Sequence, residues 1–494
     1  MHTIRFAILT LIVVTCVMVS TLAAQETEED VRNLSLQETI EMAKQNSPEA
    51  RAARYALLAS RWAFQSFRAD LLPGLSLTGN APNYRREFRE LLNPDGSTSQ
   101  IYTQQSNANV SLSIAQPILY TGGTLSLSSG IQRLGIFPDE NTYLWSSTPM
   151  AVTYRQPLFQ YNNLKWRNRL EPLRFEIAQK QYVERMEDLS WRVTQRYFDV
   201  LLTKVNLDIA DFNFAVNDSI YNISQGRYNV GSIAENDLLQ AELELRQAQS
   251  RVTEANISYD QQLSNFRLLL GLDSETPVDV EVPEEVPDIE VDEVTALEMA
   301  RQNNSTALNY LLQETQAEQS LDQAVRQSSF TAELTATYGL NQTSTEFGSL
   351  YDDPLSQQFV SLSFQVPIFN WGKQRAEVNA ARNNHRRVTD EISYQQAQFD
   401  LSIQNAVDEF RQLKQQVELA ELSDGIADRR YEVARNRYLI GRIDITNLFI
   451  AQNQRDSARQ SYIQALRNYW VGIYNLRRLT LYDFERDEVI SYDI

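Results

Sequence analysis

The chain is poor in the side chains that do chemistry. It holds two histidines, His2 and His385, and one cysteine, Cys16. Protein zinc sites draw on Cys and His, and covalent catalysis needs an activated nucleophile beside a base. His385 stands alone in the polar run RNNHRRV, the setting of a solvated helix residue. Gly372-Lys373 lacks the upstream glycine that a phosphate-cradling loop requires. Carboxylates are abundant, with 64 Asp and Glu against 45 Lys and Arg, yet they recur along helical runs as a solvated face does. No catalytic, cofactor-binding or metal-binding constellation emerges, so neither an enzyme nor a cofactor is expected. A formal charge of −19 also lacks the basic footprint that nucleic acid demands.

What the sequence does contain is one unusual phrase written twice. RYNVGSIAENDLLQA (227–241) and RYLIGRIDITNLFIA (437–451) share Arg, Tyr, Gly, Ile, Leu and Ala at matching positions. The offset of 210 extends upstream, where QPLF (156–159) falls on VPIF (366–369), and downstream, where Tyr259 falls on Tyr469. Nearer the N-terminus the offset becomes 257, with EMAKQN (41–46) on EMARQN (298–303). Two internal repeats are therefore expected, 25–271 and 292–481, the first carrying 47 more residues than the second. Between them, residues 272–291 hold most of the acidic, proline-containing stretch TPVDVEVPEEVPDIEVDE (276–293), expected as an extended linker. A tail, 482–494, follows the second repeat.

Within each copy the hydrophobic period changes in a fixed order. Two helical stretches come first, then short segments of period two: Val110, Leu112 and Ile114 share one face, as do Val360, Leu362, Phe364 and Val366. APNYRREFRELLNPDGSTSQ and NQTSTEFGSLYDDPLS read as loops between them. In the longer first copy, Leu125 and Leu127, then Met150, Val152 and Tyr154, alternate again, which predicts an extra hairpin there. A helical run of about 60 residues follows, spanning about 90 Å at 1.5 Å per residue, and then one of about 35. Gly231 and Gly441 fall where the long run should stop, since glycine takes the left-handed cap conformation freely. SIAE (232–235) reads as a capping box that starts the return helix. The fold class is thus mainly α with a β part, built from long antiparallel helical hairpins.

The N-terminus reads as a secretory signal peptide: Arg5, then the apolar FAILTLIVVTCVMV, then Ala23-Ala24 before an acidic stretch. Cleavage near residue 24 would leave no cysteine. Mean hydropathy is −0.41, which argues against a bundle of transmembrane helices.

Taken together, these residues resemble the TolC family of outer-membrane efflux proteins. The motif [YF]xxGxxxxx[DN]LLxA is present as Tyr228, Gly231 and Asp237-Leu238-Leu239-Gln240-Ala241. It returns as Tyr438, Gly441 and Asn447-Leu448-Phe449-Ile450-Ala451. The resemblance implies a homotrimer in the outer membrane of a Gram-negative bacterium. Its chains, usually four strands each in the family, would share one β-barrel continued by an α-barrel tunnel into the periplasm. It implies a passive exit duct of a tripartite efflux or type I secretion system, with a periplasmic adaptor, an inner-membrane transporter and outer-membrane lipid as partners. By position it makes Arg227, Tyr228, Gly231, Asp237, Arg437, Tyr438, Gly441 and Asn447 the candidates for the periplasmic tip and its gate. Asp237 and Tyr438 are the pair expected to hold the entrance shut. Asn447 and Ile450 stand where an acidic ring could be, which puts such a ring in doubt. Two rivals are a periplasmic adaptor and a coiled-coil envelope scaffold. Two complete copies with strands argue against both.

Overall fold

The structure is a computed structural model that describes residues 32–92, 94–137, 142–283 and 285–492. The expected signal segment, with His2 and Cys16, lies outside the described residues. Two compact units result, one of residues 32–53, 183–300 and 403–492, the other of residues 54–182 and 301–402.

Chain order follows from local chemistry. After a short strand β1 (Arg32–Leu34), helix α1 (Leu36–Asn46) starts at a capping box in which Ser35 and Glu38 satisfy each other's backbone N–H. Ser47 caps α2 (Pro48–Asp70), whose first residue is a proline that has no N–H to lose. Four strands follow: β2 (Gly74–Leu92), β3 (Thr98–Pro117), β4 (Thr124–Ile136) and β5 (Thr142–Leu158). Helix α3 (Asn163–Asn229) runs 67 residues, and α4 (Glu235–Leu270) runs 36. Strand β6 (Val278–Val280) precedes α5 (Glu293–Asn303) and α6 (Thr306–Gln327). Strands β7 (Thr331–Ser344) and β8 (Leu355–Gln365) lead to α7 (Lys373–Leu439), again 67 residues, and α8 (Ile445–Thr480), again 36. Strands β9 (Tyr482–Asp483) and β10 (Glu488–Val489) end the chain.

All six long strands form one antiparallel sheet in the order β2-β3-β4-β5-β7-β8. Four come from the first half of the chain and two from the second. The register sorts the faces. Leu75 pairs with Ile114, Ile114 with Leu127, Leu127 with Val152 and Val152 with Tyr338, giving an apolar row across the sheet. The opposite face is hydroxylic: Ser76 meets Ser113 at 2.9 Å, Thr78 meets Ser111 at 2.8 Å and Thr153 meets Thr337 at 3.0 Å. Two Gln-Pro pairs close strand ends. Gln116 donates to Leu71 O and Gln156 to Thr121 O, so each side chain secures a carbonyl outside its own strand.

Residues 81–100, expected as a loop, are instead the outer part of the β2–β3 hairpin. A bulge between Asn80 and Asn83 adds one residue to β2 and flips its parity. Beyond it Tyr84 and Phe88 join the face that carries Leu75 and Leu77, so the alternation breaks in the sequence while the strand continues. The linker is also more ordered than expected. Within it β6 pairs in parallel with β1, and Lys204 holds Asp279 at 2.6 Å. The hydroxyl of the buried Tyr197 bridges Leu34 O and Glu281 O, fastening that pair to α3.

The chain's last residues dock on a buried carboxylate. Glu187 is fully buried and accepts from Arg477 Nε at 3.2 Å and from the Tyr492 hydroxyl, with Lys44 3.9 Å away. Arg477 also reaches Asp483 at 2.5 Å. Burial pushes the Tyr474 hydroxyl beside it up to about 12, and burial together with Glu187 raises Tyr492 as well. Removing one partner of such a pair leaves an uncompensated buried charge. Arg477→Met is therefore expected to cost about 3–5 kcal/mol, read as a lower denaturant midpoint. Adding Glu187→Gln should recover part of the loss.

Candidate functional site at the paired helix turns

Helices α3 and α7 end in the same way. Gly231 and Gly441 both have φ 72°, the left-handed conformation. Gly231 N–H donates to Tyr228 O and Ser232 N–H to Arg227 O, each at 2.8 Å; Gly441 and Arg442 repeat this with Tyr438 O and Arg437 O at 2.9 Å. These are Schellman caps, and they explain the phrase: the Arg and Tyr before each glycine supply the two carbonyls that the cap closes on.

The helices that follow start differently. Asp444 caps α8, its carboxylate accepting from Asn447 N at 2.8 Å and Asn447 Nδ2 at 3.0 Å. Helix α4 has no such cap: its first flanking residue is Ala234, with no side-chain hydrogen bond. The expected SIAE capping box is thus absent. Ser232 is committed to closing α3, and the turn places it two residues before the capping position.

Beneath the turns the four helices share one apolar cluster. Ile220 from α3, Ala241 from α4, Tyr431 and Tyr438 from α7, and Ile445, Leu448 and Phe449 from α8 are all buried together. The second turn is clasped to α3 from above. Arg227 donates to Leu439 O at 2.9 Å and to Tyr438 O at 3.3 Å, and its guanidinium lies 5.2 Å from the Tyr438 ring. A cation on helix C-terminal carbonyls complements the helix dipole. The Tyr438 hydroxyl meets Ser224 Oγ at 3.0 Å.

About two turns from the cluster along α3 and α8 lies a polar layer. Asn213 donates to Asp456 at 2.6 Å, and Arg455 bonds Asp456 at 2.8 Å while stacking on Phe212 and Tyr431. The Tyr431 hydroxyl, Asn217 Oδ1 and Gln452 Oε1 are buried with no hydrogen-bond partner among the described residues. Burial raises the Tyr431 pKa.

Of the eight tip candidates, the structure therefore brings Arg227 and Tyr438 into contact. Tyr228 is 40% exposed where Tyr438 is 5% exposed. Arg437 and Asn447 are exposed, and Asp237 is half-buried. Within one chain Tyr438 bonds Ser224; the contacts of its hydroxyl do not include Asp237. Ser224 and Asp444 went unread in the sequence. Asp444 carries a signal, an Asx residue three positions before Asn447, whereas Ser224 stands out only through its packing.

Among the described residues no helix is long and apolar enough to cross a membrane, and no three metal-type side chains gather. Residues 124–272 and 296–480 match the model of the outer membrane efflux protein family, and the chain belongs to that family. It is an outer-membrane efflux channel, and channels of this family are transporters. The chain is 24% identical over 426 residues to the outer membrane protein TolC of Escherichia coli, with 80% of this chain and 83% of TolC aligned. Its fold is similar to that of a Pseudomonas aeruginosa membrane protein, with TM-score 0.66, 15% identity and 92% and 91% of the two chains covered. It is likewise similar to the CmeC outer membrane channel of Campylobacter jejuni, with TM-score 0.65, 16% identity and 90% and 85% covered.

The caps make a measurable forecast. Asp444→Ala should cost about 1 kcal/mol, and Gly441→Ala a similar amount by forcing a Cβ into the left-handed region. Amide exchange across residues 441–450 should quicken about fivefold for either variant, with little change at 235–241.

Proposed function

We propose that the chain works as a homotrimer that forms the exit duct of a tripartite efflux or type I secretion system. In this reading the sheet lies in the outer membrane and the long helices form an α-barrel tunnel into the periplasm. The observation that carries the proposal is the sheet itself, with one apolar face, one hydroxylic face and, among the described residues, two unpaired edges, β2 and β8. Lipid tolerates strands only in closed barrels, and three copies of six strands make eighteen, an even number as single-chain outer-membrane barrels have. The apolar face would meet lipid and the hydroxylic face would line a wet channel. The two halves, 25–271 and 292–481, then act as structural repeats, supported by helices of equal length 210 residues apart.

The paired turns would form the periplasmic entrance, where an adaptor and an inner-membrane transporter supply cargo and energy. Arg227 and Tyr438 would hold the second turn inward. Asp237, half-buried and free of Tyr438 within its own chain, would be available to a neighbouring protomer. The adaptor and scaffold readings are not favoured, since the family match covers strands and helices of both halves.

Conductance in a planar bilayer tests the reading, with the purified oligomer as wild type, as Asp237→Ala with Tyr438→Phe, and as Arg227→Ala. Small wild-type openings that widen in the variants are expected. A folded, membrane-extracted oligomer that never conducts would overturn the duct. Face assignment has its own test. Leu362→Arg, on the apolar face, should cost about 2–4 kcal/mol of membrane stability and lower the yield in the outer-membrane fraction. Ser361→Arg, on the other face, should insert normally and alter conductance.

A further inference from the structure

We propose that the apolar face of the sheet ends, at the boundary farthest along β3 from Pro117, in a binding surface for phosphate-bearing lipid head groups, with Arg133 and Arg86 as its cations. The inference rests on reading that face as lipid-facing.

The apolar face can be followed row by row. On β3 and β4 it runs from Gln116 paired with Leu125, through Ile114 with Leu127 and Val110 with Ile131, to Ala108 paired with Arg133. The eight steps from Gln116 to Ala108 cover roughly 26 Å along the strand, close to the height of the apolar band of an outer-membrane barrel, about 25 Å. Arg133 is the first charged residue on that path. Its guanidinium lies 4.2 Å from the ring of Tyr143 and 5.5 Å from that of Trp145. On the neighbouring hairpin the bulge after Asn80 turns Tyr84, Arg86 and Phe88 to this same face. Arg86 sits 5.0 Å from the Tyr102 ring, which itself lies 5.0 Å from Phe88.

Two exposed arginines on one sheet face thus each lie over an aromatic ring, Arg86 level with Gln104 and so about 13 Å beyond Arg133 along β3. Among the described residues neither pairs with a carboxylate. Arg85 pairs with Glu87 at 3.8 Å on the opposite face, and Glu90 is the acid nearest along β2 on this one. Aromatic side chains settle at the level of lipid head groups. Stacking occupies the flat side of a guanidinium and leaves its N–H fork at the edge, where it matches a phosphate bidentately. A cation carried at the rim of an apolar band needs either water or an anion, and the head group that is already there supplies the anion.

The test uses the full-length oligomer in nanodiscs of phosphatidylcholine with a minority of phosphatidic acid, whose head group is a bare phosphate. Lipid retained through mild detergent extraction is counted by native mass spectrometry. Wild type should retain phosphatidic acid over phosphatidylcholine. Arg133→Gln and Arg86→Gln should each lower that preference about fivefold, as expected for one cation at a charged surface, and the double variant should abolish it. Arg155→Gln, on the hydroxylic face, should leave it intact. No preference in wild type, equal retention by the double variant, or equal loss in Arg155→Gln would overturn the proposal. Conductance on the same preparations separates the two readings. A wild type that conducts without lipid preference sinks this inference alone, whereas one that neither conducts nor selects lipid sinks the duct as well.

Discussion

Backbone hydrogen bonding at the two edges of the sheet governs the rest of the architecture. Strands β2 and β8 each present a row of N–H and C=O groups with no strand beside them among the described residues, and hydrocarbon offers such groups nothing. Charged or twisted edges protect sheets in water, but burial in lipid leaves closure as the only remedy. A hydroxylic face with Ser–Ser and Thr–Thr pairs across strands is likewise at ease only against water. One apolar face, one wet face and two open edges are together what the proposed sharing of a wall among copies would answer.

Much of this was legible in the sequence because it is written in spacing. Period two marks the strand segments around Val110 and Val360, and the long helical runs end at Gly231 and Gly441 because only a left-handed residue closes a Schellman cap. The parts that were not legible have identifiable causes. A one-residue bulge after Asn80 flips the parity of β2, so RREFRE looks like a loop although every residue stays paired. SIAE has the letters of a capping box, but Ser232 spends its N–H on the preceding helix. Short strand β6 is too brief for any period to show. Contacts such as Ser224 with Tyr438, 214 residues apart, carry no local signal at all.

The two turns share a backbone and differ in surroundings. Both close on Arg and Tyr carbonyls with the same left-handed glycine, yet Tyr438 is buried against Arg227 while its counterpart Tyr228 is 40% exposed. The helices that follow differ as well: Asp444 caps the second return helix, and Ala234 gives the first no side-chain cap. A common scaffold has thus been given one firmly held corner and one looser one. Differences in mobility between such corners arise from local contacts rather than from the shared backbone.

Equal length in α3 and α7 has a consequence for how this chain can change. Each residue of helix adds 1.5 Å and about 100° of rotation. Deleting a single residue from α3 alone would swing Ser224 and Arg227 a quarter-turn away from Tyr438 and lift one turn past the other. Matching deletions in both helices preserve the meeting. Strands obey a different arithmetic, since a hairpin lengthens by pairs at its free end without disturbing what lies behind it. The 47 additional residues of the first half fall before the long helix begins. Growth in such a molecule comes as whole strands added to the sheet, four in the first half against two in the second, and is locked in step where two helices must arrive together.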